Sequence, residues 1–575
     1  MKHGYNRSSI SLRFLGEICI SFILLLAIAI PRLLDLNRFV TTDETLWLGR
    51  GGKFYYALAH HDLTFARGHP GVTVMWAGLA SYILEIPQYY EGFKGQDHAA
   101  TLYALKARQT DLPLRLLVTA RRILILFNVL VLFLSFLFAQ KLLGKLPAFI
   151  GFLLLAFDPF HIALSKVLHL DGTVANLVML SLLAFLVYLE RQEKLAFVVS
   201  AAAAGLAWLT KSPSLFLIPF MFLTTLLYHL RWKNKYDKTG WWKAILSDTK
   251  MLAGWGAIAA LVFFLLWPAM WVNPISSLHG ILIAALGYAE GGHESALFFN
   301  GHIYPDGKIT DIRFYLISFL WRTTPIILLG LVVTPALLLQ KGWLPPLKNE
   351  PASQTPDPLQ NPASQKWAVG ILLLFALGFI AFMTIGLKKF DRYIIPSIVL
   401  LDLVAGASLV WFVRWVGNHL PAKWRTTVIG IILFGSIAVQ AALAWSAFPY
   451  FFDYYNPLLG GSNQAVKVMQ VGWGEGLDQA ARYINEKPNS DKLSVMAWYG
   501  SGSFFYFSKS RVYNVSSDWL DSDWDLYNKS DYIVIYLEQW QRNLPAEILD
   551  KLHDVQPEYS VWIDGLEYAR VYKIQ

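Results

Sequence analysis

Long apolar runs dominate the first 446 residues, at 13–36, 116–140, 172–190, 195–210, 213–230, 251–271, 313–340, 367–387, 393–413 and 426–446, with a shorter one at 146–158. A run of about 20 apolar residues crosses a bilayer core of about 30 Å as a helix, because only a helix satisfies its own backbone in lipid. Most of this chain is therefore solvated by lipid, unlike a soluble enzyme. The repetition predicts a polytopic α-helical membrane protein with about 11 transmembrane helices. Composition agrees: 55% of residues are hydrophobic, 15% are charged and the mean hydropathy is +0.41, against about 25% charged in a typical soluble chain.

The net charge of +9 does not signal nucleic acid. In a polytopic chain, basic residues gather in cytoplasmic loops because positive charge resists translocation. Lys2, Arg7 and Arg13 precede the first run, and Pro31-Arg32-Leu33-Leu34 lacks a small-x-small cleavage pattern, so that run reads as a retained signal anchor. The segment Gly71–Ile86 is ambiguous, and charge parity resolves it. If it lies along the outer surface, the basic loop with Arg231, Lys233, Lys235, Lys238 and Lys243 falls inside. The N-terminus is then cytoplasmic, and residues 37–113 form one long external loop with interfacial helices, rich in Trp47, Tyr55, Tyr56, Trp76, Tyr89 and Tyr90. Cys19, the single cysteine, reads as a small buried apolar residue.

Residues 448–575 carry no spanning run. Glu475–Glu486 reads as an amphipathic helix, and Leu493–Trp498, Arg511–Val515, Tyr532–Leu537, Tyr559–Ile563 and Tyr568–Ile574 read as short strands. This part is expected to be a small extracytoplasmic α/β domain following a membrane domain over residues 1–447. Pro345–Gln365 reads as a flexible inner loop.

On this topology several ionisable groups from distant segments share the outer face: Asp43 and Glu44, His69, Asp171, Lys211, and Lys388, Lys389 and Arg392. Thr41-Thr42-Asp43-Glu44 is good helix-capping chemistry; the same acids also suit a proton acceptor or a metal site. His69 in Arg67-Gly68-His69-Pro70-Gly71 is either a loop corner or a contact to an anion. Asp171 opens an apolar helix, as a cap or a site carboxylate. Lys211, in Leu209-Thr210-Lys211-Ser212-Pro213, is a snorkelling lysine or a phosphate contact. Lys388-Lys389-Phe390-Asp391-Arg392 places three cations against the positive-inside preference and calls for an anionic partner, for which phosphate is the natural candidate. Three further motifs read as non-functional. Gly472-Trp473-Gly474-Glu475-Gly476 lacks the strand and Lys-Ser/Thr of a phosphate loop, Asp521-Ser522-Asp523 reads as a solvated turn, and Gln96-Asp97-His98 lacks spaced partners for a metal.

Taken in order, Asp43-Glu44, His69-Pro70, Asp171, Leu209-Thr210-Lys211-Ser212-Pro213 and Arg392-Tyr393 before Pro396 resemble the polyprenyl-phosphate-dependent membrane glycosyltransferases. These form the GT-C superfamily, which includes protein O-mannosyltransferases and the lipid A aminoarabinose transferase. The resemblance covers roughly residues 10–410. It implies inverting transfer of a sugar from a polyprenyl-phosphate carrier to an acceptor hydroxyl at the extracytoplasmic face of the cell membrane. It gives Asp43 as general base with Glu44 beside it, and Asp171 as a second site carboxylate. His69, standing where the aminoarabinose transferase has Lys, Lys211 and Arg392 fall at the carrier phosphate, and Lys388 and Lys389 adjoin them. No cofactor is required on this reading, although a divalent cation beside Asp43 and Glu44 stays open. Expected partners are the lipid-linked sugar, a protein, lipid or glycan acceptor and membrane lipids, with no nucleic acid. The alternative reading is a membrane transporter or lipid flippase, since intramembrane charges also mark transport paths. Transporters commonly carry internal repeats and midplane sites, whereas here the charges sit at one edge and no repeat is visible.

Overall fold

The computed structural model describes residues 7–65, 70–88, 98–231, 238–340 and 362–574. His69, Arg67, Tyr89, Tyr90, the Gln96-Asp97-His98 side chains, Lys233, Lys235 and most of Pro345–Gln365 lie outside the described residues. Among those described, eight helices are long and apolar enough to span a membrane, or ten if two bent pairs each count as one.

The bundle starts with α1 (Arg7–Leu33). Two short helices follow, α2 (Thr42–Ala59) and α3 (Val72–Glu85). With 14 residues, α3 is about 21 Å long, short of a bilayer core. It pairs with α2. Gly51 and Gly78 allow this: a Cβ on Gly51 would lie 2.7 Å from the Gly78 Cα, so the two backbones touch with no side chain between them. The bundle continues with α4 (Leu112–Leu143), α5 (Lys145–Ala156), α6 (Pro159–Lys166), α7 (Leu170–Arg191), α8 (Lys194–Thr210), α9 (Leu217–Arg231) and α10 (Lys238–Leu266). Next come α11 (Phe314–Arg322), α12 (Pro325–Leu339), α13 (Pro362–Thr384), α14 (Ile395–Asn418) and α15 (Ala422–Ser446). Helices α7 and α14 are covered almost all round and sit at the centre of the bundle, while α1, α10 and α15 leave most of their surface uncovered for lipid,.

Three sequence expectations are corrected. The run at 313–340 is not one straight helix: α11 and α12 meet at 118°, where Thr323-Thr324 precede Pro325, which cannot continue a helix. The run at 146–158 is the first arm of a pair, α5 and α6, bent by 67° at Phe157-Asp158 before Pro159. Cys19 is exposed, not buried, because α1 packs by one side only. The 17-residue helix α8 falls below the length of a full span but packs closely on α7.

The C-terminal part holds α16 (Leu477–Asn485) and five strands, β3 (Ser494–Ala497), β4 (Arg511–Asn514), β5 (Tyr532–Tyr536), β6 (Tyr559–Ile563) and β7 (Leu566–Lys573), after a small hairpin of β1 (Leu297–Phe299) and β2 (His302–Tyr304). The sheet order is β4-β3-β5-β7-β6. Strand β3 runs parallel to β4 and β5, and β7 antiparallel to β5 and β6. Both hairpins close through two residues at positive φ, Asn300-Gly301 and Asp564-Gly565, the turn chemistry that matches strand twist. Strand β5 is wholly buried, and α16 covers the sheet with Leu477, Ala480, Ala481 and Ile484.

Candidate active site

The N-terminus of α2 separates its two acids. Glu44 is fully buried, and its oxygens accept from the Thr41 backbone at 2.9 Å, the Thr41 hydroxyl at 3.2 Å and the Leu168 backbone at 2.7 Å. The guanidinium of buried Arg121 donates to both oxygens, at 2.6 and 2.5 Å. Glu44 therefore clamps the start of α2 to α4 and to the turn before α7. Both of its oxygens accept from N–H and O–H groups of the protein, and its side chain is closed off from the cavity that Asp43 lines. Among the described residues no group of three His, Cys, Asp or Glu is placed to hold a metal.

Asp43, one residue earlier, keeps 33% of its side chain accessible and lines a cavity of about 310 Å³. Its carboxylate lies 3.3 Å from Nε2 of His169 and 3.6 Å from the guanidinium of Arg392. Burial pushes its pKa up, but the His169 hydrogen bond and the charges of Arg392 and Lys211 outweigh that and hold it well below the usual carboxylate range,. His169, the N-cap of α7, faces Asp171 with its other nitrogen: Nδ1 lies 3.4 Å from the Asp171 carboxylate and accepts from the Asp171 backbone N–H. With Nδ1 accepting, Nε2 carries the proton toward Asp43.

Asp171 is held by Lys211 at 2.5 Å and faces Nε of Arg392 at 3.4 Å. Arg392 thus stands between the two aspartates, clasped by the rings of Phe390 and Trp473 at 4.2 and 4.4 Å, and Lys211 sits 4.0 Å over Tyr393. Asp43, His169, Asp171, Lys211 and Arg392 make one alternating network of charge drawn from four segments. Behind it, Asp171, Lys211 and Tyr393 open on an apolar crevice with Val174, Val178, Phe379 and Met383. Lys389 lines the main cavity but donates to the Ile309 carbonyl at 2.7 Å. Lys388 is half-buried beside it; burial and the nearby charges of Arg392 and Lys211 lower its pKa. Asp391 turns away to Arg322 at 2.6 Å.

The sequence reading missed His169, whose one signal was its place two residues before Asp171. It also set aside Gly472–Gly476, which in the structure forms the roof of the cavity. Trp473 packs edge-on against His169 at 5.0 Å, and Glu475 lines the same space. Gly474 permits this approach: at φ +120° a Cβ there would meet the Val40 carbonyl at 2.4 Å. Trp498, Tyr499, Glu538 and Arg542 complete the wall from the sheet. The motif is a backbone wedge, and no phosphate-loop pattern could have revealed it.

The structure is thus a polytopic helical bundle with an acid–base network at the mouth of its central helices, roofed by a small sheet domain. Residues 115–246 match the family described as dolichyl-phosphate-mannose-protein mannosyltransferase. Among solved structures, the chain is similar to ArnT from Cupriavidus metallidurans in the apo state, with 16% identity over 97% of this chain and 98% of that one and a TM-score of 0.50. The same protein bound to undecaprenyl phosphate aligns with 14% identity over the same shares and a TM-score of 0.48. The archaeal oligosaccharyltransferase AglB from Archaeoglobus fulgidus, in complex with an inhibitory peptide and a dolichol-phosphate, aligns over 91% of this chain and 69% of that one, with 12% identity and a TM-score of 0.44. No curated protein matches the sequence at a significant level.

Proposed function

We propose that the protein is an inverting membrane glycosyltransferase that moves a sugar from a polyprenyl-phosphate carrier to an acceptor hydroxyl on the extracytoplasmic side. The observation that carries this reading is the placement of a partly accessible carboxylate, Asp43, within 3.6 Å of Arg392 in one cavity of about 310 Å³. A phosphate-linked donor needs both groups in one space. The cations take the phosphate, and the carboxylate meets the acceptor.

In the reaction the acceptor oxygen attacks the anomeric carbon from the face opposite the phosphate. Its proton passes to Asp43, and the bond from carbon to phosphate oxygen breaks in the same displacement. The leaving group departs as a polyprenyl phosphate anion, whose growing charge Arg392 and Lys211 stabilise, with Lys388 and Lys389 completing the positive field. His169 orients Asp43, and Asp171 fixes Lys211 and Arg392. The protein's own groups suffice for this step, because the energy is already stored in the phosphate linkage. The matched family's dolichyl-phosphate-mannose description supports a donor of this class. The position of the N-terminus in the cytoplasm, and of the sheet domain outside, follows from the positive-inside argument.

The test is Asp43→Asn in the full-length protein, assayed with a panel of labelled polyprenyl-phosphate sugars and membrane extract as acceptor. The variant is expected to insert and bind carrier while transfer falls by about 100-fold or more. Wild-type turnover in that variant would refute Asp43 as the base.

A further inference from the structure

A second cavity, of about 650 Å³, lies where α15 meets the sheet domain, lined by residues that include Arg38, Ser446, Tyr450, Asp453, Tyr454 and Trp562. It is separate from the network around Asp43: Phe452 faces the first cavity and Asp453, the next residue, faces the second. Three of its lining residues carry buried polar atoms without a hydrogen-bond partner, namely Nε of Arg38, Oδ2 of Asp453 and the hydroxyl of Tyr454. Asp453 is only 4% exposed. Its other oxygen accepts from Tyr568 at 2.7 Å. Arg38 pairs with Asp35 at 3.9 Å, and its charge also acts on Asp478. Orphaned groups of this kind are costly unless a ligand completes them.

Position and chemistry narrow the ligand. The spans Leu15–Leu33 and Ala422–Ser446 end beside Arg38 and at Ser446, so the cavity opens at the level of lipid headgroups. Trp445, Leu458 and Trp562 stand 63%, 71% and 61% exposed around it, as interfacial side chains do. Arg38 and the Tyr454 hydroxyl are donors suited to a phosphate. Asp453, with the face of Trp562, suits an ammonium. Burial and the neighbouring Glu475 carboxylate raise the pKa of Asp453 well above its usual value, a strain that a bound cation relieves.

We propose that this cavity is a lipid headgroup site that takes a phosphate joined to a primary amine, of the phosphoethanolamine type, from the surrounding bilayer. The phosphate lies against Arg38 and Tyr454, and the amine against Asp453 and Trp562. Such a lipid ties the sheet domain to the end of α15 and so seats the roof over the first cavity.

The experiment titrates full-length protein in detergent with dihexanoyl phosphatidylethanolamine and, separately, dihexanoyl phosphatidylglycerol, which keeps the phosphate and lacks the amine. No sugar donor is present, so the result is independent of the transfer reaction. The ethanolamine lipid is expected to bind about tenfold more tightly, the worth of one charge-assisted contact. Arg38→Gln is expected to weaken both lipids about tenfold, whereas Trp562→Ala and Asp453→Asn weaken only the ethanolamine lipid. Arg38 and Trp562 are exposed enough for their variants to fold whatever Asp453→Asn does. Absence of saturable binding, equal affinity for the two lipids, or unchanged binding in both Arg38→Gln and Trp562→Ala would overturn the proposal.

Discussion

Replacing Glu44 by glutamine tests the division of labour between the two adjacent acids. Five donors converge on this carboxylate: two from Thr41, one from the Leu168 backbone and two from Arg121, at distances from 2.5 to 3.2 Å. A glutamine amide offers one oxygen, so its NH2 must face at least one of those donors. Arg121, itself 2% exposed, would lose its anionic partner and keep neutral acceptors, the amide oxygen and the Leu36 and Phe39 carbonyls. Removing one partner of such a buried pair costs about 3–5 kcal/mol. Thermal unfolding of the full-length protein in detergent, followed by tryptophan fluorescence, should show Tm lowered by about 2–4 °C, since unfolding entropy grows with chain length. The double variant Glu44→Gln with Arg121→Met should recover part of that loss, because no charge is then left buried without a partner. A single variant that melts like the wild type, or strictly additive losses in the double variant, would refute the clamp. Transfer per folded molecule in Glu44→Gln should fall far less than in Asp43→Asn.

Other outcomes follow from the same geometry. Lys211→Ala and Arg392→Ala should each weaken carrier-lipid binding about tenfold or more, and unchanged lipid affinity in both would argue against a phosphate there. Trp473→Ala removes the ring under Arg392 and beside His169; transfer should drop about tenfold with little change in Tm, and full activity would detach the roof from the chemistry. Burial raises the pKa of Asp478 to about 6, partly opposed by Arg482 and the Tyr450 hydroxyl. The folded state therefore holds a proton that the unfolded chain releases near pH 4. The stability from this group is present below about pH 4, falls by an amount on the order of 3 kcal/mol as the pH rises to 6, and is flat above. Asp478→Asn should flatten the change of Tm between pH 4 and 6, and an unchanged slope would contradict the assignment.

The sequence alone determined the helical membrane class, because no other fold hides the backbone of so many apolar runs from lipid. It also gave the sheet domain, whose β-branched and aromatic runs end in Asp-Gly and similar turn residues, and it singled out Asp43, Asp171, Lys211 and Arg392, since ionisable groups beside spans are costly and few. Tertiary structure decided what period and spacing do not encode. Glu44 and Asp43 are neighbours in sequence, yet successive helix positions point about 100° apart, so one enters the core and the other faces the cavity. His169 and Trp473 lie about 300 residues apart and meet only because Gly474 lets the sheet domain's loop press on the Val40 carbonyl. The bends at Phe157-Asp158 and Thr323-Thr324 were marked by proline but not by hydropathy, which averages over such breaks. Composition and periodicity fix which residues avoid water. Which of the remaining polar groups pair with one another, and which are left to meet a substrate, depends on contacts between segments far apart in the chain.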